Sequence, residues 1–214
     1  MDWYTQLDKQ IADYLPDLRV ACDEPMSRHT SFRIGGPARR MAFPERGEQL
    51  VLLMGFAEDC GARPLVIGNG TNLLAPDRGL DRLVVNTSAM SRVELGPEAY
   101  TIQAEAGVSL ARLADFACKQ GLTGLEFAHG IPGTLGGAVC MNAGAYDGEM
   151  KQVVRSVTLL FPEEGVRTLS CEEMDFGYRH SLLSDRPDGV VLSAVLRLAE
   201  GNEEETREKM RSLM

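Results

Sequence analysis

Long apolar runs are absent from this sequence. No stretch approaches the ~20 apolar residues that a helix needs to span a bilayer. The N-terminus, Met1-Asp2-Trp3-Tyr4, also lacks a basic segment followed by an apolar core, so no signal peptide is expected. These absences predict a cytoplasmic protein with no membrane span.

Histidine is scarce, and the cysteines show no paired spacing in the sequence. The five cysteines form no CxxC pair, and their odd number argues against a disulfide framework. We expect reduced thiols, as in a cytosolic protein. The three histidines are scattered at positions 29, 129 and 180, so no metal site is expected.

Basic residues are outnumbered. The chain has 22 Lys and Arg against 31 Asp and Glu, which gives a net charge of −9. This balance argues against nucleic acid or an anionic membrane as the main partner. The length of 214 residues and the 44% apolar content suit one large domain or two small lobes with a real core.

Glycine, by contrast, is concentrated in residues 124–146, which contain six of the 22 glycines. The run is not a flexible linker, because apolar Ile131, Leu135, Val139 and Met141 are interleaved with the glycines. One interpretation is a tight turn packed between two elements. The other is a surface of bare N–H groups that faces a phosphate or a flat ring. Composition alone slightly favours the turn.

A second glycine-rich loop, residues 68–73, reverses that preference. It directly follows the apolar segment 64–67, and the carboxyl end of a buried strand is where α/β sheets bind ligands. Position 73 is leucine, so the loop is not the G-x-G-x-x-G fingerprint, and no Gly-Lys-Ser/Thr follows. Its amides suit a pyrophosphate; taken alone, a type I′ or II turn is an equal alternative.

Apolar spacing predicts the surrounding elements. Helices are predicted at residues 2–14, at 47–60 with Gly61 as cap, from Ser109 to Gly121, and after Asn202. Strands are predicted at residues 30–34, 64–67, 83–85, 99–104, 153–161, 166–169 and 189–198. The first of these is expected to close with a Gly35-Gly36-Pro37 turn, and residues 88–97 are expected to form a polar connector between lobes.

The linear order of the motifs resembles the UDP-N-acetylenolpyruvoylglucosamine reductases, flavoenzymes of bacterial peptidoglycan synthesis. The resemblance covers nearly the whole chain. Its most specific part is the Gly-Ile-Pro-Gly-Thr stretch with the Met-Asn-Ala-Gly-Ala continuation. The matching segments are Thr30–Ala38, Gly68–Leu74, Gly130–Ala138, Met141–Tyr146 and Tyr178–Ser181.

This resemblance implies an α+β fold, a two-lobed FAD-binding unit of the vanillyl-alcohol oxidase and para-cresol methylhydroxylase type, with FAD between the lobes. It implies a first lobe at residues 1–86 and a second at 87–199 that carries the glycine-rich stretch. Residues 200–214 would be the first helix of an absent substrate-binding domain.

The resemblance also implies which residues bind FAD. Since residues 68–73 contain no histidine, FAD is expected to be non-covalent. The implied cofactor-binding residues are Gly68, Asn69, Gly70, Thr71, Asn72, Leu73, Gly130, Ile131, Pro132, Gly133, Thr134, Gly136, Gly137, Asn142 and Ala143.

The implied reaction uses NADPH as co-substrate and reduces UDP-N-acetylglucosamine enolpyruvate to UDP-N-acetylmuramate. Arg179 is the implied catalytic residue, because a guanidinium grips a carboxylate through two parallel hydrogen bonds. A surface salt bridge is the alternative for Arg179. His129 is expected to be a packing or polar loop residue and not a catalyst. Tyr178 and Ser181 are expected to support the residues of the site or the structure and not to donate a proton.

In the family, the proton donor and its acidic partner lie further toward the C-terminus, and no residue of this sequence can be assigned either role. The chain is therefore expected to turn over weakly or not at all. Two alternatives stay open: a non-catalytic FAD-binding fragment, and another oxidoreductase of the same flavin fold. Oligomeric state is not predicted.

Overall fold

The computed structural model describes residues 2–213, which form two compact units. Unit 1 ends at Met90 and unit 2 begins at Ser91. Each unit has its own buried core and contains both helices and strands, which confirms the predicted α+β class. The predicted domain limits of 1–86, 87–199 and 200–214 stay predictions. Among the described residues, no helix is long and apolar enough to cross a bilayer.

Within residues 2–90, unit 1 contains two α-helices and four strands. In chain order these are α1 (Trp3–Tyr14), β1 (Arg19–Pro25), β2 (Pro37–Phe43), α2 (Gly47–Asp59), β3 (Leu65–Ile67) and β4 (Leu80–Asn86). The sheet order is β1–β2–β4–β3. Strands β2 and β3 both run parallel to β4, as the predicted strand–helix–strand pattern requires. The ends of β3 and β4 therefore lie side by side at one edge of the sheet.

The end of α2 shows the predicted glycine cap. Gly61 has a φ of 66°, and its N–H donates to the carbonyl of Glu58. The Ala62 N–H reaches back to the Ala57 carbonyl at 2.8 Å. This pair of bonds satisfies the last carbonyls of the helix and ends it at a residue that tolerates a left-handed conformation.

The strand predicted at residues 30–34 is wrong. These residues form a turn, in which the Arg33 N–H donates to the Thr30 carbonyl at 3.1 Å and Arg33 has a φ of 55°. Phe32 is 62% exposed and Ile34 is 44% exposed. The apolar side chains that suggested a strand therefore do not face the core, and the strand of this region, β2, begins only after the Gly-Gly pair.

Unit 2 has a longer succession of elements. In chain order these are β5 (Val93–Leu95), β6 (Thr101–Glu105), α3 (Leu110–Lys119), β7 (Leu122–Thr123), α4 (Leu135–Cys140), β8 (Gly144–Ala145), β9 (Gly148–Glu149), β10 (Val154–Phe161), β11 (Gly165–Ser170), α5 (Leu182–Asp185), β12 (Val190–Arg197), β13 (Ala199–Glu200) and α6 (Glu203–Ser212).

The main sheet of unit 2 has five antiparallel strands in the order β11–β10–β12–β6–β5. The predicted β10–β11 hairpin and closing strand β12 are confirmed. Residues 88–97, predicted as a polar connector, instead contain β5, which pairs with β6. The short pairs β7–β13 and β8–β9 lie outside this sheet.

Two helices of unit 2 begin at side-chain caps, as predicted. The Ser109 hydroxyl accepts from the Arg112 N–H at the start of α3. The Asn202 Oδ1 accepts from the N–H groups of Glu204 and Glu205 at the start of α6. Each cap satisfies donors that have no partner within the helix.

Helix α6 packs against the rest of unit 2. Met210 is 3% exposed and belongs to the core of this unit. Lys209 Nζ lies 3.4 Å from Oε2 of Glu126, a buried carboxylate near the start of the glycine-rich residues 124–146. This ion pair therefore joins helix α6 to the segment that precedes residues 130–134.

Candidate functional site

The first candidate loop, residues 68–73, follows β3 and is packed against residues 29–31. Gly70 has a φ of 61°, and a Cβ there would lie 2.0 Å from the His29 carbonyl oxygen. The Gly70 carbonyl accepts from the Ser31 N–H at 3.2 Å. Only glycine fits this close backbone approach, so the loop is fixed in one conformation.

A cavity of about 290 Å³ opens beside this loop. It is lined mainly by polar groups from three chain segments. The lining residues are Arg28, His29, Thr30, Ser31, Gly68, Asn69, Asn86 and Ser88. Asn86 ends β4 and Gly68 follows β3, so the cavity lies at the carboxyl ends of neighbouring parallel strands, where α/β sheets place ligands.

Donors predominate around this cavity. The Asn86 Oδ1 accepts from the N–H and hydroxyl of Ser88, at 2.9 and 2.6 Å, which leaves its amide nitrogen without a partner among residues 2–213. The N–H groups of exposed Asn69 and Asn72 also donate to no acceptor in the described chain. His29 Nε2 lies 2.9 Å from Oε1 of Glu24, so this carboxylate has a partner at the edge of the cavity. The arrangement suits an anionic ligand.

The remaining predicted residues of this loop are less exposed. Thr71 and Leu73 are half-buried, and Leu73 packs against the unit 1 core. Arg28, His29, Asn86 and Ser88 were not predicted. Asn86 was detectable, because it follows the apolar run of the strand that neighbours β3.

The second candidate loop, residues 130–134 with the start of α4, is fixed by backbone bonds to the segment before α3. The Gly133 carbonyl accepts from the Leu110 N–H at 3.1 Å. The N–H groups of Leu135 and Gly136 donate to the carbonyls of Val108 and Ala106, each at 2.8 Å. These three backbone bonds therefore fix the shape of the loop.

The two glycines of α4 differ. Gly136 is buried, its amide is engaged, and a Cβ there would lie 3.0 Å from the Ala106 Cβ. Its N–H therefore fixes the loop against Ala106, and the predicted contact of Gly136 with the cofactor stays a prediction. Gly137 is exposed, and its N–H donates to no acceptor among the residues described.

The other predicted residues of this stretch have mixed settings. Gly130 and Pro132 are exposed, Gly133 is half-buried and Thr134 is buried. Ile131 packs against the unit 2 core. Ala143 is half-buried and both of its backbone groups are bonded, to Ala138 and Met150. Ala143 therefore also supports the loop and offers no free backbone group.

Asn142 organises the segments around it. It is 4% exposed and has a φ of 40°. Its Nδ2 donates to Glu149 Oε2 and to the Gly177 carbonyl, both at 2.9 Å, and its Oδ1 accepts from the Lys151 N–H. Both N–H donors of this side chain are engaged, while its Oδ1 can accept a second hydrogen bond, so the predicted FAD contact of Asn142 stays a prediction. Its role is to join three loops.

Arg179 lies at the tip of the turn that Asn142 holds. Gly177 and His180 exchange backbone hydrogen bonds at 3.1 and 3.2 Å, which leaves Tyr178 and Arg179 as the two central residues. Arg179 is exposed, has a φ of 49°, and forms no ion pair within residues 2–213. A left-handed conformation is uncommon for arginine, and such positions cluster at functional sites.

Ser181 has the structural role that was predicted. It is fully buried, and its hydroxyl donates to the Cys140 carbonyl at 2.8 Å while accepting from the Leu183 N–H. Tyr178 is 93% exposed and does not stabilise the unit by packing. The buried Nδ1 of His129 has no partner in the described chain.

Comparison with known folds places this arrangement in a class. A model of the FAD binding domain matches residues 38–170. The structure is similar to alkyldihydroxyacetonephosphate synthase, with a TM-score of 0.70 and 18% identity over 92% of this chain and 40% of that chain. The fold is that of a two-lobed FAD-binding unit of the vanillyl-alcohol oxidase type, as predicted.

More similar proteins give the family. A solved UDP-N-acetylenolpyruvylglucosamine reductase from Thermus caldophilus has a TM-score of 0.75 and 32% identity over 92% of this chain and 67% of that chain. A curated reductase from Caldanaerobacter subterraneus subsp. tengcongensis is 43% identical over 95% of this chain and 67% of the relative. One from Pediococcus pentosaceus is 41% identical over 97% of this chain and 68% of the relative.

The chain therefore belongs to the UDP-N-acetylenolpyruvoylglucosamine reductase family, which confirms the resemblance. It is an FAD-dependent oxidoreductase by family.

Proposed function

We propose that this chain binds FAD non-covalently and uses NADPH to reduce UDP-N-acetylglucosamine enolpyruvate to UDP-N-acetylmuramate, a step in peptidoglycan synthesis. Family membership and the FAD-binding domain support the cofactor and the class of reaction. The observation that carries the substrate proposal is Arg179, an exposed guanidinium without an ion-pair partner among the described residues, held in a strained turn.

Two features of unit 1 fit FAD. The Gly70 backbone approach fixes the loop, and the unpaired amides of Asn69 and Asn72 lie on a loop that lines a polar cavity. Backbone N–H groups without partners are the donors that bind a pyrophosphate. In unit 2, Gly130, Gly133, Thr134 and Gly137 would bind the same cofactor. FAD held by these residues would supply the hydride-transfer chemistry that links NADPH to the substrate double bond.

Arg179 would act on the substrate. Its guanidinium presents parallel N–H donors that match the pyruvyl carboxylate. The same donors would stabilise the negative charge that develops next to the carboxylate during reduction. The Gly177–His180 backbone pair and the Asn142 bond hold the backbone of the turn from which the Arg179 side chain projects.

A second candidate function is an FAD-binding chain without turnover of its own. The Ser181 hydroxyl is engaged by the Cys140 carbonyl, and we assign no proton donor among residues 2–213. General acid catalysis contributes typically ~10²–10⁴-fold, so a chain without it would reduce the enolpyruvyl substrate slowly.

Three measurements on the purified chain test the proposal in sequence. FAD titration should give a stoichiometric yellow complex whose flavin is released on acid precipitation. Anaerobic NADPH should then bleach the flavin absorbance, and the enolpyruvyl substrate should restore it. A colourless protein would contradict the FAD site. A complex that NADPH bleaches but the enolpyruvyl substrate does not reoxidise would favour the second candidate.

A further inference from the structure

Three side chains that no step above uses converge beside the Arg179 turn. His180 Nε2 lies 3.5 Å from Asp185 Oδ2 and 3.9 Å from Asp175 Oδ2. All three ligand atoms lie within 4.8 Å of one another. The sequence places them five residues apart, as Asp-x₄-His-x₄-Asp. The positions of the three histidines alone did not reveal this spacing.

These distances are too long for direct hydrogen bonds, whose N···O separation is about 2.7–3.2 Å. They match a shared cation better. Two ligand atoms that each lie ~2.1 Å from one metal ion are themselves roughly 3–3.5 Å apart. The His180–Asp185 separation of 3.5 Å is at that limit, and the 3.9 Å separation to Asp175 needs only a small movement of an exposed side chain.

The fold gives the cluster one fixed ligand and two adaptable ones. The His180 side chain is 35% exposed, and its backbone is paired with Gly177. The side chains of Asp175 and Asp185 are 80% and 70% exposed. No ring nitrogen of His180 has a hydrogen-bonded partner in the part of the chain that is described, so Nε2 is available as a ligand.

The net charge of these three side chains also suits a cation. With a neutral imidazole the cluster carries two negative charges. The nearby cation Arg186 is already engaged by Asp188 and Glu164, at 3.0 and 2.6 Å, and does not neutralise it. Lys151 Nζ donates to the carbonyl of Phe176, the residue after Asp175, at 3.2 Å, and Arg179 precedes His180 in the sequence.

We propose that Asp175, His180 and Asp185 bind one divalent first-row transition metal ion, with water in the remaining positions. One imidazole with two carboxylates suits Mn²⁺ or Zn²⁺ better than a thiol-preferring metal. The ion would join the loop at residues 175–180 to α5 and so hold the turn that carries Arg179. This inference does not depend on the proposed reaction.

The test uses MnCl₂ with the full chain, because the five free cysteines of the protein compete for Zn²⁺. Electron paramagnetic resonance counts free Mn²⁺ and should show one bound equivalent. His180→Gln and Asp185→Asn should each weaken binding by roughly tenfold or more, since even outer partners of a metal site are worth about that much. Asp147→Asn, which removes an exposed carboxylate of the same unit, should bind Mn²⁺ as the unchanged chain does.

Circular dichroism in the presence of EDTA shows whether each variant is folded. Absence of Mn²⁺ binding to the unchanged chain would overturn the proposal, as would equal binding by the folded His180→Gln variant. In either case Asp175, His180 and Asp185 do not form a metal site.

Discussion

Asn142 donates a hydrogen bond to the Gly177 carbonyl at 2.9 Å and thereby joins the loop after α4 to the turn that carries Arg179. Its second donor bond goes to Glu149 Oε2, and its Oδ1 accepts from the Lys151 backbone. A single amide side chain thus holds three segments. The first prediction concerns the loss of this arrangement.

Asn142→Asp replaces the donating NH₂ by an acceptor that faces a carboxylate and a carbonyl. The left-handed φ remains accessible, since Asp tolerates it as Asn does. We expect the free energy of unfolding to fall by about 1–3 kcal/mol, the cost of leaving buried acceptors unpaired. Urea denaturation measures this. Asn202→Asp is the matched control, because Asp caps a helix as well as Asn. Equal stability of the two variants would show that the Asn142 bonds contribute little.

Gly70→Ala should disrupt the first loop. Its new Cβ would lie 2.0 Å from the His29 carbonyl oxygen, a contact with rigid backbone. Gly61→Ala is the matched control, because Gly61 has a similar φ of 66° but no atom within 4 Å of the added Cβ. The control should lose only the ~1–2 kcal/mol of a left-handed non-glycine residue.

Only Gly70→Ala should also weaken FAD binding, by roughly tenfold or more, since ~1.4 kcal/mol corresponds to a factor of ten in the equilibrium constant. Flavin fluorescence titration of both variants distinguishes a local effect from a general loss of stability. Unchanged FAD affinity in a folded Gly70→Ala protein would count against this loop as a cofactor site.

Arg179→Ala should slow the reoxidation of reduced flavin by the enolpyruvyl substrate by roughly 10²–10³-fold, the range for loss of one charge-stabilising donor. Arg179→Lys keeps the charge but not the two parallel bonds, so its rate should lie between that of the unchanged chain and that of Arg179→Ala. Stopped-flow absorbance measures the rate, and NADPH reduction should be unaffected. Arg167→Ala, an exposed arginine on β11, is the control. A variant series in which Arg179 and Arg167 behave alike would rule out the assigned role.

Glu126 should make the stability of unit 2 depend on pH. Burial alone raises the pKa of its carboxyl, but hydrogen bonds from Thr123 and the Gly124 N–H, with Lys209 nearby, lower that pKa below its usual range. Because the folded pKa is depressed, the stabilisation is present above the usual carboxyl pKa of about 4.3 and is lost as pH falls through the folded value.

Glu126→Gln should therefore cost about 1–3 kcal/mol at neutral pH, the range for hydrogen bonds to charged groups. The difference from the unchanged chain should shrink as the pH of urea denaturation is lowered through the acid range. Lys209→Met should cost at most ~1 kcal/mol, since the ammonium is exposed. A difference that stays constant at low pH would show that the charge of Glu126 is not what stabilises the fold.

Local pattern was sufficient wherever one face of an element is buried. The spacing of Leu50, Leu53 and Ala57 predicted α2, and all three are fully buried. The β10–β11 hairpin was equally readable from two apolar runs around Pro162 and Gly165. The predicted caps at Ser109 and Asn202 also formed, because a cap depends only on residues within one turn of it.

The sequence pattern did not predict the structure where contacts between distant residues determine the conformation. Thr30–Ile34 has strand-like composition but forms a turn against the Gly70 loop, and β1 pairs with β2 despite a half-exposed sequence. The role of Asn142 depends on Gly177, which lies 35 residues away. Likewise, the residues lining the unit 1 cavity come from three segments, and only the segment after β3 was predicted.

The contact of Gly70 with the His29 main chain has a thermodynamic consequence. A loop that already rests on neighbouring backbone has lost its conformational entropy during folding, so a ligand does not have to supply that ordering on arrival. Association can then use most of its interaction energy as affinity, and the protein without its cofactor should already present this recognition surface in its final shape.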